Sequence, residues 1–457
     1  MHIQGFIDNT KRLMTLAYPI LIAQLIQTLM GFADTVMAGR VSSTDMAAIA
    51  VASSIWLPII LTISGVVMAL AAIVSQLSGA NDYKKIGAAT QQTAWISFFM
   101  SVALIALYYG LAPYIQANVS LEPQLKQLLF DYLEYVVWGG PGFCLYLVFR
   151  NYSEGLSHTR PTMIVSIVGL LINIPANYIF IYGYGDIPAL GGAGCGIATA
   201  IVYWVMCISM YLYCIFSKHL KHAPIFDKLY LPNWHEIKYI LILGVPIALS
   251  LLFEVSLFGV VAIILAPFGA ETVASHQIVI NFSGLIFMIP LSLAMAVTIL
   301  VGTAIGNKKI EQAKQVCTYS IALGLLIAVF TALLTVVFRV QIAEIYSHER
   351  VVIELAASLM LLATLFQFSD AIQVIAAGAL RGYKDTTAIL YLTFVSYWVV
   401  GLSVGLVLGI TDWIIAPIGP YGFWIGIISG LTTAAILLGW RLKVVQARFA
   451  TEAQLTR

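Results

Sequence analysis

Three carboxylates, Asp34, Glu254 and Asp370, fall deep inside stretches of apolar sequence. On insertion scales an acid there costs roughly 2.5–3.5 kcal/mol, so by default it marks function. The sequence places no lysine or arginine at the same depth, so a structural ion pair lacks its positive half. A cation or a proton can supply it. Towards Asp34, residues Gln24, Gln27, Thr28, Gly31 and Asp34 recur at i, i+3, i+4, i+7 and i+10, a polar or small stripe on one helix face. Asn173 and Asn177 stand one turn apart around Pro175, which removes a backbone hydrogen bond and can free a carbonyl oxygen. Thr199 follows a glycine-rich turn. One carboxylate with amide and hydroxyl oxygens suits a hard cation such as Na⁺. Two readings stay open: a Na⁺ site at Asp34, Asn173, Asn177 and Thr199, or a hydrogen-bonded cluster without an ion. The glutamines fit a polar helix–helix seam equally well.

In the second half, Glu254 follows Ser250 by one turn, and Gln367, Asp370 and Gln373 succeed one another at steps of three. Gln277 and Asn281 are again one turn apart. Either a proton or Na⁺ can neutralise a buried carboxylate, and competition of the two for one site is a workable coupling principle.

The elements that must hold these groups are membrane helices. Of 457 residues, 61% are hydrophobic and only 10% charged, with a mean hydropathy of +0.94. Soluble domains carry about a quarter charged residues. Apolar runs of membrane-spanning length recur along the whole chain without the alternation of a barrel strand. They predict twelve transmembrane helices, at about 13–37, 46–76, 91–115, 127–149, 162–183, 194–217, 239–265, 273–303, 317–340, 352–379, 387–410 and 421–442. All lysines and arginines except Arg40, Lys126, Arg339 and Arg350 then collect on one side, which the positive-inside rule makes the cytoplasm, with both termini. Lys11-Arg12 runs straight into a full-length span, so the first helix is expected to stay in the membrane. The net charge of +2 points to no nucleic-acid partner. The five cysteines form no CxxC pair and read as buried apolar residues.

The chain also repeats itself. A shift of 227 residues pairs Pro19 with Pro246, Leu25 with Leu252, Met68 with Met295, Val74 with Val301 and Gly79 with Gly306. It also sets Gly155-Leu156-Ser157-His158-Thr159 on Gly382-Tyr383-Lys384-Asp385-Thr386, and one residue of slippage then aligns Gly191 with Gly419. The fold class is therefore all-α integral membrane. Two six-helix bundles, 1–217 and 238–457, are expected to be related by a pseudo-twofold along the membrane normal, with a cavity between them. A polar cytoplasmic linker at 218–237 joins them.

Several strings are decoys. Gly183-Tyr184-Gly185-Asp186 matches the GxGD of intramembrane proteases, but lies in a Gly/Pro turn without a partner motif. His219 and His222 fall in the linker and read as a polar face. No GxxxxGK[ST] or HExxH is present, so an enzyme reading has neither a nucleotide-binding loop nor a zinc motif to rest on.

The stretch Gly31-Phe32-Ala33-Asp34-Thr35-Val36-Met37-Ala38-Gly39 resembles the first-helix motif of MATE (multidrug and toxic compound extrusion) transporters, in particular the bacterial NorM branch. Glu154-Gly155-Leu156, Asn173-Ile174-Pro175-Ala176-Asn177-Tyr178, Phe253-Glu254-Val255 and Arg381-Gly382-Tyr383-Lys384-Asp385-Thr386 support it. The resemblance implies a monomeric exporter in a bacterial inner membrane that antiports small amphipathic cationic drugs and dyes against Na⁺ or H⁺. It implies no cofactor beyond the coupling ion. Asp34, Asn173, Asn177 and Thr199 match an amino-lobe cation or proton site, and Glu254 and Asp370 match carboxyl-lobe carboxylates. One departure is Phe366, one turn before Asp370, where relatives often carry tyrosine; a hydroxyl ligand is missing there. Gln24, Gln27, Phe253, Gln277, Asn281, Phe282, Phe287, Phe366, Gln367 and Tyr397 are the candidates for a substrate cavity, the aromatics through apolar or cation–π contact. The rival readings are a flippase for lipids or lipid-linked oligosaccharides on a related fold, which calls for a basic cavity, and a passive channel.

Overall fold

The computed structural model describes residues 3–455. Helices α1 (Ile3–Gly39), α2 (Ser43–Gly79), α3 (Tyr83–Asn118), α4 (Pro123–Val137), α5 (Gly140–Gly155), α6 (Arg160–Tyr182) and α7 (Gly194–Phe216) make up the first half. The second half contains α8 (Trp234–Leu265), α9 (Ala270–Gly306), α10 (Ile310–Tyr346), α11 (Arg350–Gly382), α12 (Thr386–Phe394), α13 (Leu402–Gly409) and α14 (Pro420–Leu455). Among the described residues, 11 helical segments are long and apolar enough to cross a membrane. The fourth predicted span, 127–149, is present but broken. At Trp138-Gly139 the chain turns between α4 and α5, each too short to count alone. The run Gly139-Gly140-Pro141-Gly142 explains the break, since proline lacks a donor and glycine weakens a helix. The eleventh span is interrupted differently, by a π-helical stretch at Val395–Gly401 between α12 and α13.

Packing divides the chain into two compact units, Tyr18–Gly244 and Met1–Ala17 with Val245–Arg457. These limits differ from the lobes read from the sequence at both ends of the first half. Leu13, Leu16 and Ala17 of α1 are buried in the apolar cluster that includes Leu293, Val297, Val316 and Leu380. The linker residues Leu220, Ala223 and Ile225 join the core of the first unit.

The backbone carries the repeat. Among the described residues four non-glycines adopt positive φ: Asn81 (56°), Ser157 (65°), Lys308 (59°) and Lys384 (62°). They form two pairs, each 227 residues apart. Each closes a helix with the same Schellman pattern, for instance His158 N–H to Ser153 O at 2.9 Å and Asp385 N–H to Leu380 O at 2.9 Å. Helix packing repeats too. A Cβ on Gly155 would meet Val74 Cβ at 2.8 Å, and one on Gly382 would meet Val301 Cβ at 2.9 Å. Glycine is required at both positions because the backbones approach closely. Replacing Gly155 or Gly382 by alanine is expected to cost about 1–3 kcal/mol through overpacking. A thermal-unfolding midpoint in detergent should fall for both variants and stay unchanged for Gly110→Ala, whose Cβ meets nothing within 4 Å.

Candidate functional site

In the first unit α1, α6 and α7 bring four predicted residues together. Asn173 Nδ2 donates to Asp34 Oδ1 at 3.0 Å, Asn177 Nδ2 donates to the same oxygen at 2.6 Å, and Thr199 Oγ1 donates to Oδ2 at 3.3 Å. Asn177 also donates to Asn173 Oδ1 at 3.2 Å. The one-turn spacing of the two asparagines, on a helix with Pro175 inside it, aims both amides at one point. Asp34 is 7% exposed, Asn173 1% and Asn177 0%, so water does not solvate this carboxylate; the protein does. Among the described residues no lysine or arginine pairs with it. Asn177 Oδ1 is buried and has no hydrogen-bond partner. Rotating an amide about its last torsion would turn an oxygen to the place a nitrogen now occupies. Cys195, unmarked by the sequence reading, donates weakly to Asp34 O at 3.6 Å, and Tyr182 ties its hydroxyl to Met37 O at 2.7 Å.

The second unit holds a different arrangement. Asp370 is 2% exposed, its Oδ1 has no hydrogen-bond partner, and it lines a small cavity among α9, α10 and α11 with Phe287, Thr331, Phe366 and Gln367. The cavity has room for one water or one small ion. Gln367 does not turn freely: it accepts from Thr331 at 2.8 Å and donates to Thr335 at 3.0 Å. Phe366 sits in an aromatic cluster with Phe258 and Trp424, at 6.3 and 6.4 Å between centroids. Glu254 on α8 lies within electrostatic reach of Asp370, Tyr397 and Arg381. Tyr397 lies in the π-helical stretch, fully buried with its hydroxyl unpartnered.

Of the other predicted residues, Phe253 stacks at a tilt on Phe394, 5.1 Å between centroids, and accepts Trp398 Nε1–H at its carbonyl. Gln27 lies beside Tyr146. Gln24 is half-buried on the same helix. Gln277 and Asn281 are exposed on α9, and Phe282 packs on the cluster of α9 and α11.

Arg150 and Arg381, which fall outside the predicted spans, are buried near helix ends. Arg150 of α5 is buried and its Nε donates to Glu154 Oε1 at 2.8 Å; Glu154 also accepts from Thr162. Arg381, in the last turn of α11, is 5% exposed, with Nε and Nη2 unpartnered. Sequence alone places both in loops, because a span boundary cannot be fixed to within a turn. Asp45 was also missed: it caps α2 with Ser42 and accepts Gly192 N–H at 2.6 Å, which pins the glycine turn before α7. The decoys remain decoys. Gly185-Asp186 is a tight turn closed by Tyr184 and Ile187. The cysteines are free and buried. His219 stands 5.6 Å from His158, whose imidazole is held below its usual range by burial and by His219 and His222. Among the described residues no three histidines, cysteines or carboxylates cluster as a metal-ligand set.

Membrane helices in two repeated lobes, each with a buried acid that water does not reach, define the architecture of a secondary transporter. The sequence profile of the MatE family matches this chain twice, at residues 19–179 and 246–407. The chain belongs to that family. It is 49% identical to the probable multidrug resistance protein NorM of Shewanella oneidensis, over 96% of this chain and 95% of that one. It is 50% identical to the multidrug resistance protein NorM of Aliivibrio fischeri, over 95% and 94%. Against MdtK, a multidrug resistance protein of Proteus mirabilis, identity is 47% over 99% of each. Its fold matches the crystal structure of MATE in complex with MaL6 with a TM-score of 0.88, at 20% identity and 97% coverage of both chains.

The two kinds of buried acid are expected to respond differently to neutralisation. Glu154→Gln leaves Arg150 buried without its counter-charge, a loss of about 3–5 kcal/mol, and folded protein should fall sharply on size-exclusion chromatography. Asp34→Asn leaves no charge behind, so its elution profile and melting midpoint should stay close to the parent.

Proposed function

We propose that this chain exports small amphipathic, cationic drugs and dyes across the inner membrane of a bacterium, driven by inward flow of Na⁺ or H⁺. The observation that carries the proposal is Asp34, a buried carboxylate solvated by two amides and a hydroxyl without a basic partner. Such a group is electrically incomplete in a membrane, and a monovalent cation completes it. The names of the full-length relatives supply the cargo class: all three are called multidrug resistance proteins.

Coupling follows from alternation. With its carboxylates neutralised by Na⁺ or H⁺, the cavity holds a cationic drug less firmly; with them bare, it holds the drug more firmly. Alternate exposure of the cavity to the two sides then exchanges one for the other. Glu254 and Asp370 serve the same exchange in the second lobe, and Phe366 supplies apolar surface where an oxygen ligand would otherwise stand. The termini and the basic loops face the cytoplasm. A flippase is the weaker reading. The relatives are named for drugs, and of the two buried arginines Arg150 is already paired.

The test uses proteoliposomes loaded with a fluorescent cationic dye, under an imposed inward Na⁺ or H⁺ gradient. Gradient-driven efflux is expected, and Asp34→Asn should reduce it at least tenfold. Asn177→Ala separates the ions. If Na⁺ drives export, a ligand is lost, and half-maximal driving should require roughly tenfold more Na⁺, the equivalent of about 1.4 kcal/mol. If H⁺ drives it, the amide competes with the proton, and its loss should not weaken coupling. Efflux that ignores both gradients would mean a passive pore. No dye movement under either gradient would sink the drug-export reading.

A further inference from the structure

The stretch Lys218–Trp234 between the sixth and seventh spans is read from the sequence as a solvated loop. Its packing contradicts that reading. Two adjacent buried glutamines of α3 hold it down. Gln91 Nε2 donates to Ile225 O at 2.6 Å and Lys228 O at 2.7 Å, while its Oε1 accepts Tyr230 N–H at 2.8 Å. Gln92 Nε2 donates to Leu231 O at 2.9 Å and its Oε1 accepts Asn233 N–H at 2.9 Å. Trp95 Nε1 donates to Tyr230 O at 3.1 Å, and Tyr152 of α5 donates its hydroxyl to Ala223 O at 2.6 Å. The contact face of α3 is completed by Gly87, where a Cβ would strike Pro224 O at 2.6 Å. Side chains therefore satisfy a run of irregular backbone that a loop in water would leave to solvent. Non-helical backbone needs that provision where water is scarce.

The level of this strap can be read along α3. Its apolar run, residues 94–115, measures about 33 Å at 1.5 Å per residue, close to the hydrocarbon thickness. Trp95 thus stands at one edge of the hydrocarbon, with Gln91 and Gln92 about one turn outside it. Tyr230 and Leu231, bonded to these residues, lie at the same level. From there the strap presents Leu229, 76% exposed, Leu231, 74%, and Trp234, 71%, with Phe226 half exposed. Lys221, Lys228 and Lys238 are interleaved with them, all exposed, and Lys228 reaches back over the Tyr230 ring. Leucines and a tryptophan at the hydrocarbon edge, set among lysines, are the composition of an interfacial membrane contact.

We infer that this strap is a lipid-docking surface: Leu229, Leu231 and Trp234 insert at the headgroup–acyl boundary of the chain's own bilayer, and the three lysines hold anionic phospholipid headgroups. This goes beyond the export reading and stands without it.

All five native cysteines are buried, so single cysteines can be spin-labelled selectively. Leu229→Cys, Leu231→Cys, Trp234→Cys and, as the water-facing reference, Asp227→Cys would be labelled in phosphatidylcholine vesicles with and without 30 mol% phosphatidylglycerol. Accessibility to oxygen should exceed that to a water-soluble nickel chelate at 229, 231 and 234, and the order should reverse at 227. Phosphatidylglycerol should slow the label at 231, and Lys→Gln at 221, 228 and 238 together should abolish that slowing. Nickel-dominated accessibility at all four sites would overturn lipid insertion. Mobility indifferent to phosphatidylglycerol, with insertion intact, would overturn the headgroup part.

Discussion

A polar group that cannot reach water has to be solvated by the protein itself, and much of this structure answers that one demand. Asp34 is met by three donors from two helices, Glu154 by Arg150 and Thr162, Gln367 by two threonines, and the strap's peptide groups by Gln91, Gln92 and Trp95. Where the demand is fully met the result is scaffold. Where it is met for one charge state only, as at Asp34, or left open, as at Asp370 Oδ1, the residual need is a place for an ion or a proton. Satisfaction of the charge, not burial alone, separates structural acids from candidate coupling acids in this chain.

The repeat sharpens that distinction. Both halves share helix ends, positive-φ residues and close glycine crossings at one offset, so their backbones answer the same folding problem. Their polar content has diverged almost completely. At the same shift Asp34 falls on Val261, Asn173 on Val400 and Asn177 on Val404. Conversely Asp370 falls on Phe143, and Arg381 falls on Glu154. Each lobe has therefore kept the architecture and placed its acids elsewhere, so the two sites are not copies and need not bind alike.

Much of the architecture was legible because membrane helices leave long apolar runs and the repeat is ungapped over most of its length. The first-lobe cluster was legible too: its members sit at helical spacings, and an unpaired acid in an apolar run is conspicuous. The rest depended on facts without a local signature. Trp138-Gly139 breaks a span whose hydropathy is continuous. Arg150 and Arg381 lie where a one-turn error in a boundary exchanges loop for core. The strap looked like any charged linker, because only the fold sets Gln91 and Gln92 against it. Gln277 and Asn281 share a helix face by spacing, and in the structure both are exposed. Periodicity identifies a face but not its neighbour.

Charge balance takes the proposed mechanism one step further. In the first lobe Asp34 carries one negative charge when ionised, and no basic group pairs with it among the described residues. In the second lobe Asp370 and Glu254 carry two, and Arg381, within electrostatic reach of Glu254, returns one. In the proposed mechanism Arg381 would offset one of the two second-lobe charges, so that a single monovalent cation would suffice there. A buried guanidinium with unpartnered nitrogens is costly to keep, and adjusting the valence of the adjacent site is a physical reason to keep it.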